Sequence, residues 1–354
     1  MSGDWAELNT DLLHLILQKL ETFSNFIRFR SVCKWWRSAV GPTEYFPHLP
    51  WIIYSTNGSN PSPTDYVIYS LSSNTTCQIN LPKNHKECRK YLGNDESSSG
   101  FFLLKHNVSK SSYLFNPLTG TKIYPPLSKD DLIFFILYMG LHLNGTLRTM
   151  KSGVRLVFCE LLIDACFRKD KLQVGLWKYD NNFINFEIPF LSGNMAYYKD
   201  KLFAYWSQTA KTRIFDINTG AEIGIPIQDT VGNRRLQYLV VAIEDLFRVV
   251  MELVTGHPYK FQFNVYRLEH TNNFEQCRWM ELKGIGDRIL FLGLYQGCAN
   301  SFCLSASVVN GLKGNCIYYL HYYHVLRYNM EDGTTDYIYR FPAPSARWYM
   351  PNLI

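Results

Sequence analysis

Apolar residues change their spacing once along this 354-residue chain, near residue 50, and that change constrains the fold more than any other feature. Before it, Leu8, Leu12, Leu13, Ile16, Leu17 and Leu20 recur three and four residues apart. That spacing gathers them on one stripe of a helix, with Asn9 or Thr10 placed to cap its start. Ser24 stands where a second short helix carrying Phe26, Ile27 and Phe29 needs a cap, and Val32, Cys33, Trp35 and Trp36 lead into a third that stops by Gly41-Pro42. Three such helices enclose little volume. Leucines beyond what so small a core can hold imply a partner helix bundle that completes it.

After Pro50 the helical spacing nearly vanishes. Runs rich in Tyr, Phe, Ile and Val begin at Trp51, Tyr66, Phe101, Tyr113, Leu172, Leu202, Arg213, Phe261, Ile289, Ile317 and Tyr337, separated by clusters of Gly, Pro, Asn, Asp and Ser. This is the pattern of strands joined by short turns. With 24 Tyr and 23 Phe, aromatics make up 16% of the chain, an excess that suits pleated, half-buried surfaces. No later segment offers a long amphipathic helix, which argues against β-α-β crossovers and a parallel sheet. The chain is therefore α+β: a three-helix head followed by an all-β body. Stretches 132–143 and 238–254 are the richest in apolar residues. The first is too short to span a bilayer, which takes roughly 20 residues, and charged residues interrupt the second. Both are read as buried strands, the second as a hairpin turning near Glu244-Asp245.

A recurrent strand-end turn divides the body. It occurs at Tyr69-Ser-Leu-Ser-Ser-Asn74, Phe115-Asn-Pro-Leu-Thr-Gly120, Phe215-Asp-Ile-Asn-Thr-Gly220, Tyr266-Arg-Leu-Glu-His-Thr271 and Arg327-Tyr-Asn-Met-Glu-Asp-Gly333. Aligning Ser70, Asn116, Asp216, Arg267 and Tyr328 gives intervals of 46, 100, 51 and 61 residues, the 100 being two periods with a degenerate copy at Trp177-Lys-Tyr-Asp180. A period near 50 is the size of one propeller blade. The body then holds about six blades by that period, with seven also fitting; a pair of irregular β-sandwiches is the competing architecture. Closing a propeller requires its first and last strands to share a blade. Trp51–Tyr54 is accordingly expected in one sheet with Tyr337–Phe341, with the tail Trp348–Ile354 packed on the first blade or the junction with the head.

Charge and cysteines narrow the function. Lys and Arg exceed Asp and Glu by 6, but the excess is scattered, with no basic block of the kind that binds nucleic acid. Nine cysteines (33, 77, 88, 159, 166, 277, 298, 303 and 316) include no C-x-x-C pair, so neither a disulfide framework nor a zinc site is signalled. The start lacks the basic and apolar regions of a secretion signal, so reduced thiols in cytoplasm or nucleus are expected, and the sequons at Asn57, Asn74, Asn107 and Asn144 are coincidental. No cofactor, metal or membrane partner is expected.

Chemical motifs are sparse. Gly284-Ile-Gly286 lacks the third glycine of a nucleotide loop and reads as a turn before a strand. His321 and His324 would point to opposite faces of one strand. Cys298 and Cys303 have no histidine at motif distance and no G-x-S-x-G occurs, while Asp130-Asp131 and Glu331-Asp332 read as solvated turns. Two carboxylates distant in sequence still leave a glycosidase arrangement open.

Residues 4–40 resemble an F-box: Trp5, Leu8, Asp11-Leu-Leu13, Ile16 and Leu20, then Arg28-Phe-Arg-Ser-Val-Cys-Lys34 with Trp36-Arg37. Asn9 departs from the pattern, which usually has proline there. The body is similar to the KIB-type β-propeller attached to F-boxes in many plant proteins, through Leu114–Gly120, Phe263–Leu268 with Trp279, Ile285–Gly293, Gly314–Tyr319 and Arg347–Leu353. The resemblance implies a non-catalytic, substrate-recruiting subunit of a Skp-cullin-F-box ubiquitin ligase. Residues 1–41 would bind the Skp adaptor, and through it cullin and RING subunits. Residues 42–50 would link to a propeller, 51–354, that presents an unknown substrate protein. Leu8, Leu12, Leu13, Ile16, Leu17, Leu20, Val32, Cys33 and Trp36 are the expected adaptor-binding set, with Val32, Cys33 and Trp36 also locking the helices. The rival readings are a propeller enzyme or glycan-binding protein, and an F-box scaffold with no role in degradation.

Overall fold

The structure, a computed structural model, describes residues 5–20, 23–40, 50–56, 65–79, 81, 102–105, 112–117, 120, 122–123, 133–140, 155–162, 171–178, 183–189, 195–206, 209–216, 219–228, 235–242, 244–254, 256, 260–293, 301–309, 311–342 and 346–349. The head is a 3-10 turn, Trp5–Glu7, followed by helices α1 (Thr10–Gln18), α2 (Phe23–Ser31) and α3 (Lys34–Ala39). Asn9 caps α1, its side chain accepting from the Asp11 N–H at 3.0 Å. That bond satisfies one of the donors a helix start leaves orphaned. Ser24 is not a cap, because α2 already begins at Phe23; Cys33 caps α3, its Sγ accepting from the Trp36 N–H at 3.4 Å.

Among the described residues the body forms six sheets, and every run singled out above overlaps a strand. The first sheet contains β1 (Trp51–Ser55), β2 (Tyr66–Ser70) and β3 (Thr75–Ile79); the second, β4 (Phe102–Lys105), β5 (Ser112–Phe115) and β6 (Lys122–Ile123). The third is β7 (Ile133–Gly140), β8 (Arg155–Leu162), β9 (Lys171–Lys178) and β10 (Phe183–Pro189). The fourth is β11 (Met195–Tyr198), β12 (Lys201–Trp206), β13 (Lys211–Asp216) and β14 (Ile227–Gln228), and the fifth β15 (Arg235–Val241), β16 (Leu246–Leu253), β17 (Phe261–His270) and β18 (Cys277–Leu282). These five are antiparallel meanders. As expected, β15 and β16 form a hairpin, with Val241 opposite Leu246.

The sixth sheet departs from that plan. It holds β19 (Arg288–Leu292), β20 (Phe302–Ser305), β21 (Cys316–His321), β22 (His324–Asn329) and β23 (Thr335–Arg340) in the order β20-β19-β21-β22-β23, with β19 and β21 parallel. The chain passes from β20 to β21 across the end of β19. Asp287 anchors the crossing: its carbonyl accepts from the Ala306 N–H at 2.7 Å and its carboxylate from the Ser305 hydroxyl and the Ser307 N–H. Neighbouring sheets pack through strands at one edge of each, β7 on β11, β11 on β15 and β20 on β15, so the blades share an axis as in a propeller.

The repeated turn has one structural place: it joins the last two strands of a blade. Gly120, Gly220 and Gly333 donate to the carbonyls of Asn116, Asp216 and Asn329 at 2.8, 2.8 and 2.9 Å, with φ of +73°, +71° and +69°. Such φ values favour glycine; at Ser70–Asn74 the corresponding residue is Asn74, φ +52°. Two alignments need correction. The copy assigned to Tyr328 starts at Asn329, and Arg267 lies within β17, whose turn starts at Thr271. The copy at 177–180 straddles the end of β9 and runs outside the described residues.

Closure is made by the tail. Strand β24 (Arg347–Tyr349) pairs with β1, Trp51 opposite Tyr349 and Ile52 opposite Trp348. The expectation that Tyr337–Phe341 shares this sheet is wrong: β23 is the outer strand of the sixth sheet, because the short turn at Asn329–Gly333 folds it back on β22. The two segments meet through side chains instead, Phe341 with its ring 5.2 Å from Tyr54 and Tyr339 stacked at 4.0 Å on Tyr69. Trp348, 1% exposed, packs edge-on against Phe291 and donates to the Leu292 carbonyl at 2.7 Å.

Candidate functional site

The head has a complete core of its own. Leu13, Leu17, Phe26, Phe29, Trp36 and Val40 are buried together, with Leu8, Ile16, Leu20 and Cys33 half-buried against them. The Phe29 and Trp36 rings lie 4.7 Å apart. The arginines of the motif fasten α2 to α3: Arg30 donates to the carbonyls of Arg37, at 3.2 Å, and Val40, and Arg37 donates back to the Arg30 carbonyl at 3.2 Å. The indoles tie α3 to the start of the chain. Trp36 donates to the Trp5 carbonyl at 2.7 Å and Trp35 to the Leu8 carbonyl at 2.9 Å.

This core splits the nine expected adaptor-binding residues. Leu13, Leu17 and Trp36 are interior, and Leu8, Ile16, Leu20 and Cys33 support them. Only Leu12 and Val32 face outward, at 47% and 54% exposure. Val32 therefore does not lock the helices, since at the end of α2 its side chain points away from the packed face. Trp5 (71%), Leu15 (56%) and Trp35 (49%) are exposed too, and the sequence reading did not assign them to the adaptor. Helix geometry explains the split. Leu13 and Leu17, four apart, share one flank of α1, while Leu12 and Leu15, three apart, share another; a single leucine stripe was in fact two.

In the body, the residues weighed for chemistry resolve into structure. Gly284–Gly286 is a turn before β19, where the Asn315 side chain accepts from the Ile285 N–H at 2.8 Å. His321 and His324 do not share a strand; they end β21 and start β22, directly opposite each other across a two-residue turn at Tyr322-Tyr323. Their offset of three thus puts both on one face. Burial pushes the Cys277 thiol up to about 11 and the Cys303 thiol up to about 12, which keeps both protonated at neutral pH. Asp332 accepts from the Thr334 N–H at 2.9 Å and is held below the usual carboxylate range by Thr334. Asp130-Asp131 and Cys298 lie outside the described residues. Among those described, no group of three metal-ligating side chains converges, and no helix is long and apolar enough to cross a membrane.

Comparison with known proteins assigns the two parts. The F-box domain family matches residues 5–42, and the KIB1-4 beta-propeller family matches residues 68–340, more than half of the chain. The chain belongs to the KIB1-4 beta-propeller family and carries an F-box. Its relatives include F-box protein SKIP23 of Arabidopsis thaliana, 38% identical over 34% of this chain and 28% of that protein. Two others from the same plant match along most of their length: putative F-box protein At4g22180, 24% identical over 99% of this chain and 94% of that one, and F-box protein At2g26160, 22% identical over 90% and 95%. F-box proteins are generally substrate adaptors of Skp-cullin-F-box ligases, and F-box domains generally bind Skp1-type adaptors.

Proposed function

We propose that this F-box propeller protein is the substrate-recruiting subunit of a Skp-cullin-F-box ubiquitin ligase. The observation that carries the reading is the exposure of Trp5, Leu12, Leu15, Val32 and Trp35 on a helical unit whose own core is already filled. Apolar side chains left out of a closed core are the anchors of a helix-bundle interface. The head binds the adaptor, and with it the cullin and RING subunits. The propeller holds a substrate protein in the cytoplasm or nucleus. Its contribution to ubiquitin transfer is proximity, raising the local concentration of a substrate lysine near a thioester held by another subunit.

Replacing Leu12 and Leu15 together by Ser tests the reading. Adaptor pull-down should fall to background while the melting of the body is unchanged, since both residues are solvent-facing. Undiminished pull-down would refute adaptor binding through this face. A reconstituted ubiquitination assay on proteins captured by the body then separates a ligase subunit from a scaffold without a degradation role.

A further inference from the structure

The end of the sixth sheet where β21 turns into β22 breaks two local rules, and both breaks put a tyrosine into solvent. The turn holds Tyr322 and Tyr323 between His321 and His324, which pair across it. Two-residue turns call for Asn, Asp or Gly because they need positive φ. Here Tyr322 holds φ +49°, a left-handed backbone that a bulky residue rarely takes. The second break is in β23. Val325 pairs with Tyr339 and Leu326 with Tyr337, so Ile338 is an extra residue, a bulge. In an unbroken strand Tyr337 and Tyr339 would lie on one face. The bulge turns them apart: Tyr339 stacks on Tyr69 of the first sheet, while Tyr337 lies beside His324 on the other face, ring centroids 5.4 Å apart.

Tyr322 and Tyr337 are 60% and 67% exposed, and with Tyr323 and Ile338 they make up four of the seven large apolar side chains exposed among the body's described residues. So local a concentration marks a binding surface. Arg340 borders it. It pairs with His324 across the β22–β23 ladder, on the face that carries Tyr337, and is exposed, with no ion pair among the described residues. Asp336, the one acidic residue in these three strands, pairs with Arg327 on the opposite face and is bound by it at 2.6 Å. Exposed tyrosine rings beside a cation suit an extended peptide. Proline rings lie flat on aromatic faces, and a polyproline II backbone, which makes no hydrogen bonds of its own, offers its carbonyls to the phenolic hydroxyls. A sugar ring also stacks on tyrosine, but its many hydroxyl donors call for strong acceptors, and Asp336 faces away.

We propose that the tyrosine surface at the β21–β22 turn binds a proline-rich, acidic segment of the recruited substrate protein, with prolines laid on Tyr322 and Tyr337 and a carboxylate at Arg340. The assignment rests on the adaptor reading only in naming the segment's source. Its test probes the full chain with immobilised decapeptide mixtures that share a Pro-x-x-Pro core and end in paired Glu, Gln or Lys, beside mixtures in which both prolines are alanine. The Glu-ended proline mixture should be retained about fivefold or more over its alanine counterpart, and over the Gln-ended and Lys-ended ones, as a charge-assisted bond requires. Arg340→Gln should remove the preference for Glu over Gln and keep that for proline. Tyr322→Asn combined with Tyr337→Ser should bring retention to background. Asparagine accepts the positive φ and Tyr337 is solvent-facing, so the double variant should melt within about 2 °C of the native protein, which separates a lost surface from a lost fold. Equal retention of proline and alanine mixtures, retention untouched by the double variant, or a Glu preference that survives Arg340→Gln would each overturn the proposal. Retention of immobilised xylo- or cello-oligosaccharides with no peptide held would overturn it too, and give the surface to glycans. Adaptor capture from the same samples keeps the readings apart: no peptide retained with the adaptor bound removes this surface alone, while peptide retained with the adaptor lost removes the ligase reading and leaves the surface standing.

Discussion

Among the described residues, six buried side chains of the head hold three helices together while five large apolar ones remain in solvent; in the body, side chains of the same kinds go inside, and only seven large apolar ones of the far larger described set are exposed. The body's clusters span sheet boundaries. Ile52, Tyr54 and Tyr69 of the first sheet share one core with Phe291, Tyr318 and Phe341, and Tyr238, Phe247 and Phe263 of the fifth share another with Leu290, Ile317 and Tyr319. Each of these blades is thus completed by its neighbour. Among the described residues the head has no such successor. On the reading proposed above, what it leaves uncovered is the adaptor's surface, and the contrast would then separate apolar residues that stabilise from apolar residues that bind.

The largest expected effect comes from opening the ring. Trp348→Ala removes a fully buried indole and its bond to Leu292, and should cost the body about 3–5 kcal/mol. At roughly 2–4 °C per kcal/mol, melting should fall by about 10 °C. Adaptor capture at low temperature should persist, because the head's core is separate. A thermal scan that shifts by only a degree or two would show that β24 is not what closes the propeller.

Within the head, neighbouring leucines should separate stability from binding. Leu13→Ala hollows the core and should destabilise the helices by about 2–5 kcal/mol, visible as loss of helical circular dichroism on mild heating. Leu12→Ala should change stability by less than about 0.5 kcal/mol yet weaken the adaptor by about 2 kcal/mol, roughly 30-fold, in a titration. If the two variants behave alike, the division into core and binding flanks is wrong.

The same contrast explains what was legible in the sequence. Period alone placed the three helices, and the aromatic runs placed inner strands such as β1, β12 and β19. The outer strands β3 and β18 were not singled out, because they lie at the rim with largely exposed or half-exposed residues and offer no apolar run to see. The repeated turn was legible because Asn, Asp and Gly are needed for its geometry. The closing partner of β1 was misread between two candidates, since pairing of β23 is decided by a turn and not by its own residues. For the candidate sites the limits are sharper. Two different flanks of one helix both read as leucine, which hid Leu15 behind Leu13. The tyrosine surface depends on the bulge at Ile338, which β22 and β23 form together and no residue type announces.

Capping gives a smaller effect. Asn9→Ala should cost α1 about 1 kcal/mol, the usual worth of an N-cap side chain. Asn9→Pro loses the same bond to Asp11, but the φ of −57° at this position already suits proline, which recovers about 0.4–1 kcal/mol by restricting the unfolded chain. The proline variant should therefore melt and bind like the native protein, and the alanine variant below it. A clear loss with proline would show that the cap, and not the backbone angle, sets the entry into α1.

The smallest effect expected is in the body, at the hairpin that places His321 opposite His324. Burial, reinforced by the positive charge His324 can carry, holds the His321 imidazole below its ordinary value of 6.5. The His321 ring lies against Phe261 at 4.9 Å and Tyr322 at 4.6 Å, while His324 meets Tyr337. In the unfolded chain His321 takes up its proton near 6.5, whereas the folded protein takes it up only at lower pH. Below 6.5 the unfolded state binds more protons, so acidification favours unfolding, and the stability present at neutral pH is lost as pH falls toward the folded value. In urea unfolding followed from about pH 7.5 to about pH 5.5, His321→Gln should flatten part of the wild-type decline. His324→Gln should flatten it too, by removing the second cation. Parallel curves for wild type and both variants would mean that the two imidazoles do not sense each other across the turn.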